Sequence, residues 1–196
     1  MSQLYLIRHG NTFDQGQQVL RVGARSDLDL SLSGCAQAAA LGQHFSAIPL
    51  CAVISSPLKR AQQTAEAIIA RQENSRLEMR IDPRLNELDY GPDEGQSEDK
   101  VRARLGEQAL LDWEHHATVP QDWQVNPDKL IKDWQDIITE LKASKAKTIA
   151  LVTSNGIARF ILPHLKGQPK ELKLKTGAFA CIDLDCLTLR QWNIRP

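Results

Sequence analysis

The chain has 196 residues, a mass of 21.9 kDa, and 24 basic and 24 acidic side chains, so its formal net charge is zero. This length allows one domain with a sizeable core, and the balanced charge excludes a global field that would attract nucleic acid or an anionic membrane surface. The four cysteines show no CxxC spacing and no paired histidine pattern, which indicates neither a zinc site nor a redox motif.

A short apolar run, residues 4–7, is followed directly by Arg8, His9 and Gly10. The run predicts a buried central strand, and ligands of open α/β sheets bind beyond the carboxyl ends of such strands. Gly10 allows a sharp turn that brings backbone N–H groups close to an anion. The segment therefore predicts an oxyanion site that contains an imidazole, although in isolation an arginine and a histidine that merely end a strand would be the simpler explanation.

The next part of the chain predicts a loop and a helix. Residues 13–29 are polar and glycine-bearing, which predicts an ordered loop over the site, where Arg21 and Arg25 add positive charge. Alanine-rich composition with a serine near its start predicts a helix over about residues 33–46. Together they connect the first strand to the second.

The second strand and the helix after it repeat the pattern of the first. Residues 52–55 predict a short apolar strand, and Ser56 and Pro57 predict the start of a helix with proline at its first position. Arg60 then lies in the first turn, beside N–H groups without helical partners and at the positive end of the helix dipole. A second anion-binding element thus follows a second strand.

The middle of the chain places two carboxylates in a loop. Residues 76–81 predict an edge strand, and the loop over residues 83–92 holds Glu87 and Asp89. Residues 97–119 are charged and helical in period, which predicts a helical segment after that loop.

The remaining elements continue the alternation of strands and helices. They are a predicted amphipathic helix over residues 128–142, a strand over 148–153, a helix over 157–165, and a hairpin with strands over 179–184 and 187–192. Ser154 and Asn155 follow the predicted strand directly, so we expect them at the same sheet edge as His9.

Three ordered segments, residues 6–12, 30–38 and 55–65, together resemble the motifs of the histidine phosphatase superfamily, the group that includes cofactor-dependent phosphoglycerate mutase, in its short bacterial branch. The resemblance covers nearly the whole chain. We therefore expect an α/β fold, a three-layer α/β/α sandwich with a mostly parallel central sheet. We further expect a single domain, residues 1–196, in which a helical elaboration at about residues 97–142 covers the site.

The chain departs from the family pattern at one position of chemical importance. The family usually reads Val-Ser-His-Gly-Gly-Val-x-Arg where this chain has residues 152–159, so Ser154 stands at the position of the second catalytic histidine. The resemblance implies that this histidine donates a hydrogen bond to the phosphoryl oxygens. Loss of one such donor typically lowers the rate by about 10²–10³-fold, which corresponds to roughly 2.7–4 kcal/mol. His115, His116 and His164 are candidates to take its place, but each is also explained as a surface or helix-end residue.

The resemblance implies roles for the other residues. It implies a phosphohistidine intermediate on His9 and an acid at Glu87 that protonates the leaving oxygen, with Asp89 as the alternative acid. Two guanidinium groups near His9 would disfavour its protonated form and hold it neutral near physiological pH. The expected phosphate-binding residues are Arg8, Asn11, Arg60, Ser154 and Asn155.

We therefore predict a metal-independent phosphomonoesterase that needs no cofactor and acts on a small phosphorylated metabolite. The alternative is a weakly active or inactive protein of the same fold that binds a phosphorylated ligand. A mutase is less favoured than either, because residues 97–142 show no additional basic cluster to hold a second acid group. No basic segment followed by an apolar one opens the sequence, and no stretch reaches the ~20 apolar residues of a membrane span, so we expect a cytoplasmic protein.

Overall fold

The computed structural model describes residues 2–196 and contains a six-stranded sheet with six α-helices. The strands are β1 (Gln3–Arg8), β2 (Ala52–Ser55), β3 (Met79–Ile81), β4 (Thr148–Thr153), β5 (Phe179–Asp183) and β6 (Thr188–Ile194). The α-helices are α1 (Leu32–Phe45), α2 (Lys59–Ile69), α3 (Glu98–Leu105), α4 (Glu107–His116), α5 (Pro127–Ala143) and α6 (Asn155–Ala158). Short 3₁₀ helices span Pro83–Leu85, Gly91–Asp93 and Arg159–His164. Within residues 2–196, no helix combines the length and the apolar character needed to cross a bilayer.

The strands lie in the order β3-β2-β4-β1-β5-β6. The first four strands of this order run parallel, whereas β5 is antiparallel to β1 and β6 is antiparallel to β5. Arg8 pairs with Thr153, and Ser55 pairs with Val152, so β1, β2 and β4 end side by side. The mostly parallel sheet predicted from the sequence is confirmed, and so is the shared edge at which His9 and Ser154 follow their strands.

Helices cover both faces of the sheet. Leu4 and Leu6 of β1 belong to one apolar core and Tyr5 and Ile7 to the other, because successive side chains of a strand point to opposite faces. The first core includes the buried side of α5 around Trp134, and the second includes the buried sides of α1 and α2. The predicted three-layer α/β/α sandwich is confirmed.

Two of the helices predicted to cover the site do so. Glu98 and Arg102 of α3 and Glu107 and Glu114 of α4 line a cavity at the carboxyl edge of the sheet. The buried side of α5 packs against the sheet instead, because its apolar side chains recur at helical spacing and form one stripe. The division of the chain into one domain with an elaboration at about residues 97–142 stays a prediction.

Several elements differ from the predicted bounds for local reasons. Helix α2 begins at Lys59 and not at Pro57, because Leu58 keeps an extended backbone with φ −73° and ψ 137°. The helical stretch predicted over residues 97–119 is divided at Gly106, which separates α3 from α4. The third strand is shorter than residues 76–81 and spans Met79–Ile81.

The helix predicted over residues 157–165 is four residues of α-helix followed by a 3₁₀ helix. Pro163 lies inside the 3₁₀ helix, and proline cannot donate the hydrogen bond that an α-helix would need there. The terminal hairpin is formed by β5 and β6, as predicted.

Candidate active site

His9 follows the last residue of β1 and lines a cavity of about 500 Å³. Its backbone N–H donates to the Thr153 carbonyl at 3.1 Å, which extends the pairing with β4 by one residue. A Cβ atom at Gly10 would lie 2.5 Å from the carbonyl oxygen of Gly34 in α1, so only glycine allows the helix to approach this turn. The strand and the helix together therefore fix the imidazole.

The hydrogen bonds of His9 define which ring nitrogen carries the proton. Nδ1 lies 2.7 Å from the Gly10 carbonyl oxygen, which can only accept, so we assign the proton to Nδ1. Arg60 Nε donates to Nε2 at 3.2 Å, so Nε2 is unprotonated and its electron pair accepts this hydrogen bond. Burial, and then the charges of Arg60 and Arg8, hold the pKa of His9 well below its usual value of 6.5. This agrees with the neutral imidazole predicted from the two neighbouring arginines.

Arg8 and Arg60 are held by backbone carbonyl groups. Arg60 lies in the first turn of α2, is 1% exposed, and donates to Ser26 O at 2.6 Å and to Gly23 O at 3.3 Å. Arg8 donates through Nη1 to Leu174 O at 2.9 Å, and its buried Nε has no hydrogen-bond partner among the described residues. Both guanidinium groups line the cavity and can receive phosphate oxygens there.

Glu87 also lines the cavity, on the loop that follows the 3₁₀ helix Pro83–Leu85. Its carboxylate is buried and accepts from Leu88 N–H at 2.9 Å and from Gly156 N–H at 3.4 Å. The alternative acid, Asp89, pairs with Arg25 at 3.3 Å and is not among the residues that line the cavity. The structure therefore brings Glu87, and not Asp89, to the cavity that His9 lines.

The two asparagines predicted for the site line the cavity, and the serine does not. Asn11 donates to Ser33 Oγ at 3.1 Å, and Asn155 Oδ1 accepts from Leu174 N–H at 2.8 Å. Ser154 is fully buried, and its Oγ has no hydrogen-bond partner within residues 2–196. Its hydroxyl thus lies at the correct sheet edge but behind the cavity surface.

The three histidines considered as substitutes for the missing imidazole do not line the cavity. His115 and His116 are exposed at the end of α4, and His164 lies 2.8 Å from the carbonyl oxygen of Ile131. None of them is placed to act on a phosphoryl group bound at His9.

Arg159 is a cavity residue that the sequence did not single out for the site. It is 4% exposed, its Nη1 donates to Trp113 O at 2.5 Å, and its guanidinium carbon lies 4.0 Å from the centroid of the Trp113 ring. Its Nε has no hydrogen-bond partner in the described chain. The motif position of Arg159 was a signal for it, whereas nothing in the local sequence pointed to Trp113 or to Tyr90, which also lines the cavity.

The charges that line the cavity are distributed unevenly. The cationic side chains are Arg8, Arg21, Arg60, Arg102, Arg159 and Lys173, and the carboxylates are Glu87, Glu98, Glu107 and Glu114. In the more exposed part, three cations each form a salt bridge with one carboxylate. These pairs are Arg21 with Glu98 at 2.5 Å, Arg102 with Glu107, and Lys173 with Glu114 at 3.5 Å. The inner part keeps three guanidinium groups against the single carboxylate of Glu87.

A comparison with known protein families agrees with this arrangement. The sequence model of the histidine phosphatase superfamily (branch 1) matches residues 4–188. The chain belongs to the histidine phosphatase superfamily. Among the described residues of this superfamily member, no group of three or more His, Cys, Asp or Glu side chains is placed to hold a metal ion.

Similar members of the superfamily include 2,3-bisphosphoglycerate-dependent phosphoglycerate mutases. The one from Bartonella henselae is 28% identical over 173 residues, which cover 86% of this chain and 83% of the relative. The one from Mesorhizobium japonicum is 29% identical over 181 residues, which cover 89% of this chain and 87% of the relative.

Solved structures with this fold include two phosphatases. A mycobacterial glucosyl-3-phosphoglycerate phosphatase superimposes with a TM-score of 0.80 at 22% identity, over 100% of both chains. The alpha-ribazole phosphatase from Shigella flexneri superimposes with a TM-score of 0.75 at 24% identity, over 98% of this chain and 96% of the other. At these identities the likeness shows a common histidine phosphatase fold, whose members include both phosphatases and mutases.

Proposed function

We propose that the protein is a metal-independent phosphomonoesterase that transfers the phosphoryl group of a small phosphorylated metabolite first to His9 and then to water. The observation that carries this proposal is the state of His9. Its Nε2 is unprotonated, is contacted by Arg60, and faces a cavity whose inner charges are mostly positive. A cytoplasmic location stays a prediction from the sequence.

In the first step, Arg60 Nε shifts its hydrogen bond from His9 Nε2 to a phosphate oxygen. The released electron pair of Nε2 attacks phosphorus, and the bond from phosphorus to the ester oxygen breaks. Arg8 and Arg60 bind the non-bridging oxygens, where charge is spread in the transition state. Glu87 donates a proton to the departing oxygen, so that a neutral alcohol leaves. The imidazole is then phosphorylated on Nε2, and Nδ1 keeps its proton and its bond to the Gly10 carbonyl.

In the second step, the Glu87 carboxylate accepts a proton from water as that water attacks phosphorus. The bond between phosphorus and Nε2 breaks, inorganic phosphate leaves, and His9 returns to its initial state. The leaving alcohol and the attacking water occupy the same place beside phosphorus. By microscopic reversibility, the residue that protonates the alcohol can therefore also accept the proton of the water, so Glu87 serves both steps. The Gly156 N–H holds the carboxylate at this place.

The pairing of the outer charges favours a phosphatase over a mutase. A mutase must hold a second acidic group while the phosphohistidine survives, which calls for spare cations beyond the phosphoryl site. Arg21, Arg102 and Lys173 are each paired with a glutamate. The outer cavity therefore offers little net positive charge to such a group.

A trapping experiment tests the proposal. Brief incubation with a ³²P-labelled phosphomonoester, followed by an alkaline quench, is expected to leave acid-labile label on the protein, because phosphoramidates hydrolyse in acid. The His9→Ala variant is expected to carry none. Label that persists in His9→Ala would show that another residue is the nucleophile.

Metal removal gives a second test. Because charge neutralisation is assigned to Arg8 and Arg60, turnover of an aryl phosphate should be unchanged after dialysis against EDTA. Activity that is lost on dialysis and returns only with added Mg²⁺ or Zn²⁺ would contradict the proposed mechanism.

The burial of Ser154 favours a second candidate function, a binding protein for phosphorylated ligands with little or no turnover. This residue stands where the resemblance places the second catalytic histidine, yet its hydroxyl does not reach the cavity. Turnover of an aryl phosphate, compared between the wild type and His9→Ala, separates the two functions. Equal rates, together with binding of inorganic phosphate by the wild type, would support the binding protein.

A further inference from the structure

The phosphoryl site has a cation that the proposed mechanism does not use. Ser154 and Arg159 both lie in the segment after β4: Ser154 directly precedes α6, and Arg159 directly follows it. Of the two residues, only Arg159 lines the cavity. The hydroxyl of Ser154 is fully buried and unpaired, so it offers no donor to a bound phosphoryl group. Arg159 is therefore the cationic donor that this segment presents to the cavity.

Contacts on one side of the guanidinium group orient Arg159. Its Nη1 donates to Trp113 O at 2.5 Å, and the Trp113 ring lies 4.0 Å from its central carbon. Its Nε is buried and has no hydrogen-bond partner within residues 2–196, although a buried N–H without a partner costs about 1–3 kcal/mol. A ligand oxygen in the cavity would satisfy this donor.

The charge of the inner cavity matches a phosphoryl dianion. Arg8, Arg60 and Arg159 are positively charged and His9 is neutral, which leaves two positive charges when Glu87 is ionised and three when Glu87 holds the proton that the first step donates. A phosphate monoester carries about −1.5 to −2 charges at neutral pH. Burial lowers the pKa of Arg8 and the charge of Glu87 raises it, while the smaller effects of the Arg60 and Arg159 charges lower it.

We propose that Arg159 is a further catalytic residue, whose guanidinium donates a hydrogen bond to an oxygen of the phosphoryl group during transfer. It would supply the contact that the family resemblance assigns to the imidazole at the position of Ser154. This inference rests on the proposed phosphatase function.

Kinetics of Arg159→Met and Arg159→Lys test the inference with two substrates, phosphoglycolate and ethyl phosphate, whose leaving groups differ by a carboxylate. Arg159→Met should lower kcat/KM about 10²–10³-fold, the usual cost of one transition-state donor, and by the same factor for both substrates. Arg159→Lys should keep part of the activity, because the charge remains. Arg71→Met is the matched control, since Arg71 is exposed and outside the cavity, and its kcat/KM should equal that of the wild type.

Two results would overturn the inference. One is a kcat/KM for Arg159→Met within twofold of the wild type. The other is a loss confined to phosphoglycolate, which would place Arg159 against the leaving group and not against the phosphoryl group.

A rescue experiment separates a catalytic role from a structural one. The double variant Arg159→Met with Ser154→His should regain turnover relative to Arg159→Met, because the imidazole would supply the missing donor. A merely structural arginine would not be rescued in this way. The unfolding temperatures of the variants measure how much stability is lost with the contact between Arg159 and Trp113, independently of turnover.

Binding of vanadate tests the contact without turnover. Isothermal titration should show weaker binding of vanadate to Arg159→Met than to the wild type, by at least tenfold. If the wild type hydrolyses no phosphomonoester but shows this difference, the proposed function fails and the contact stands. Equal affinities for vanadate would overturn the contact whatever the activity.

Discussion

At the scale of single residues, the ionisation of His9 has the most direct consequence. Burial and two guanidinium groups keep its pKa well below 6.5 in the folded protein, whereas its pKa in the unfolded chain is about 6.5. Between these two values the unfolded state binds more protons than the folded state, so His9 makes stability fall as the pH decreases below about 6.5. The folded imidazole, in contrast, stays mostly unprotonated through that range.

Histidine-selective NMR can measure this pKa directly. In a titration from about pH 8 to pH 5.5, spanning the usual histidine pKa, the ring signals of His9 are expected to keep the chemical shifts of a neutral imidazole. Arg60→Met should raise the pKa of His9, because it removes the positive charge that, after burial, lowers this pKa most. The His9→Ala spectrum assigns the signals, and a wild-type midpoint near 6.5 would contradict the site electrostatics.

Residue patterns predicted Arg8, His9 and Arg60 for the site, but not Arg159. Arg8 and His9 directly follow an apolar run, and Arg60 directly follows a strand and a turn, so local sequence was sufficient to bring them together. Arg159 needs a carbonyl group and a ring from Trp113, 46 residues away in the chain. Such a contact depends on how α4 packs over the sheet edge, which local periodicity does not encode.

At the scale of elements, the turn from β4 into α6 packs against the carboxylate of Glu87. A Cβ atom at Gly156 would lie 2.2 Å from Glu87 Oε1 and 2.8 Å from side-chain atoms of Leu88. Gly156→Ala should therefore displace the carboxylate and lower kcat, within the about 10²–10⁴-fold that general acid–base catalysis supplies. Binding of inorganic phosphate should change little, because Arg8 and Arg60 are untouched.

A double variant assigns the effect to Glu87. Glu87→Gln should lower kcat by itself, and adding Gly156→Ala should lower it little further, because the same group is already lost. Full additivity of the two effects, measured in the steady state, would show that Gly156 acts through another part of the site.

The elements differ in how far their sequence defines them. Strand β4 has the bounds predicted for it, because its four apolar residues lie between two threonines, a β-branched residue type that favours strands. The end of the predicted helix after β4 could not be foreseen from helical period alone, since Pro163 and the packing of residues 159–164 impose 3₁₀ geometry. The start of α2 shifted by two residues, yet Arg60 stayed in the first turn, and its role in anion binding stays a prediction.

At the scale of the whole molecule, one ion network joins the sheet edge to α5. Arg84 donates to both carboxylate oxygens of Glu140, at 2.7 and 2.8 Å, and to Asp82 at 2.7 Å. The Asp82 side chain is 7% exposed, so loss of its partner leaves a nearly buried carboxylate. Arg84→Met should lower the free energy of unfolding by about 1–3 kcal/mol, measured by urea denaturation at pH 7.

The same network predicts the pH dependence of this loss. Hydrogen bonds from Arg84 lower the pKa of Asp82 below its ordinary value of 3.8. The ionised Asp82 therefore contributes to the free energy of unfolding at pH values above its pKa in the unfolded chain. This contribution is lost as the pH falls through the lower pKa of the folded protein. The difference in stability between the wild type and Arg84→Met should therefore shrink in acid. Arg71→Met serves as the control, and a difference that stays constant down to about pH 2.5, well below the ordinary aspartate pKa, would exclude Asp82 as its source.

The sheet order places β1 between β4 and β5, whose segments begin at residues 148 and 179. During translation, β1 therefore leaves the ribosome long before either of its neighbours has been synthesised. At about 5–20 residues per second, the wait for both is on the order of 10–35 s. Throughout that time an apolar strand with two unpaired edges is available to chaperones and to other nascent chains. His9 acquires its surroundings only when the last quarter of the sequence emerges, so the proposed nucleophile is translated early and its site is assembled late.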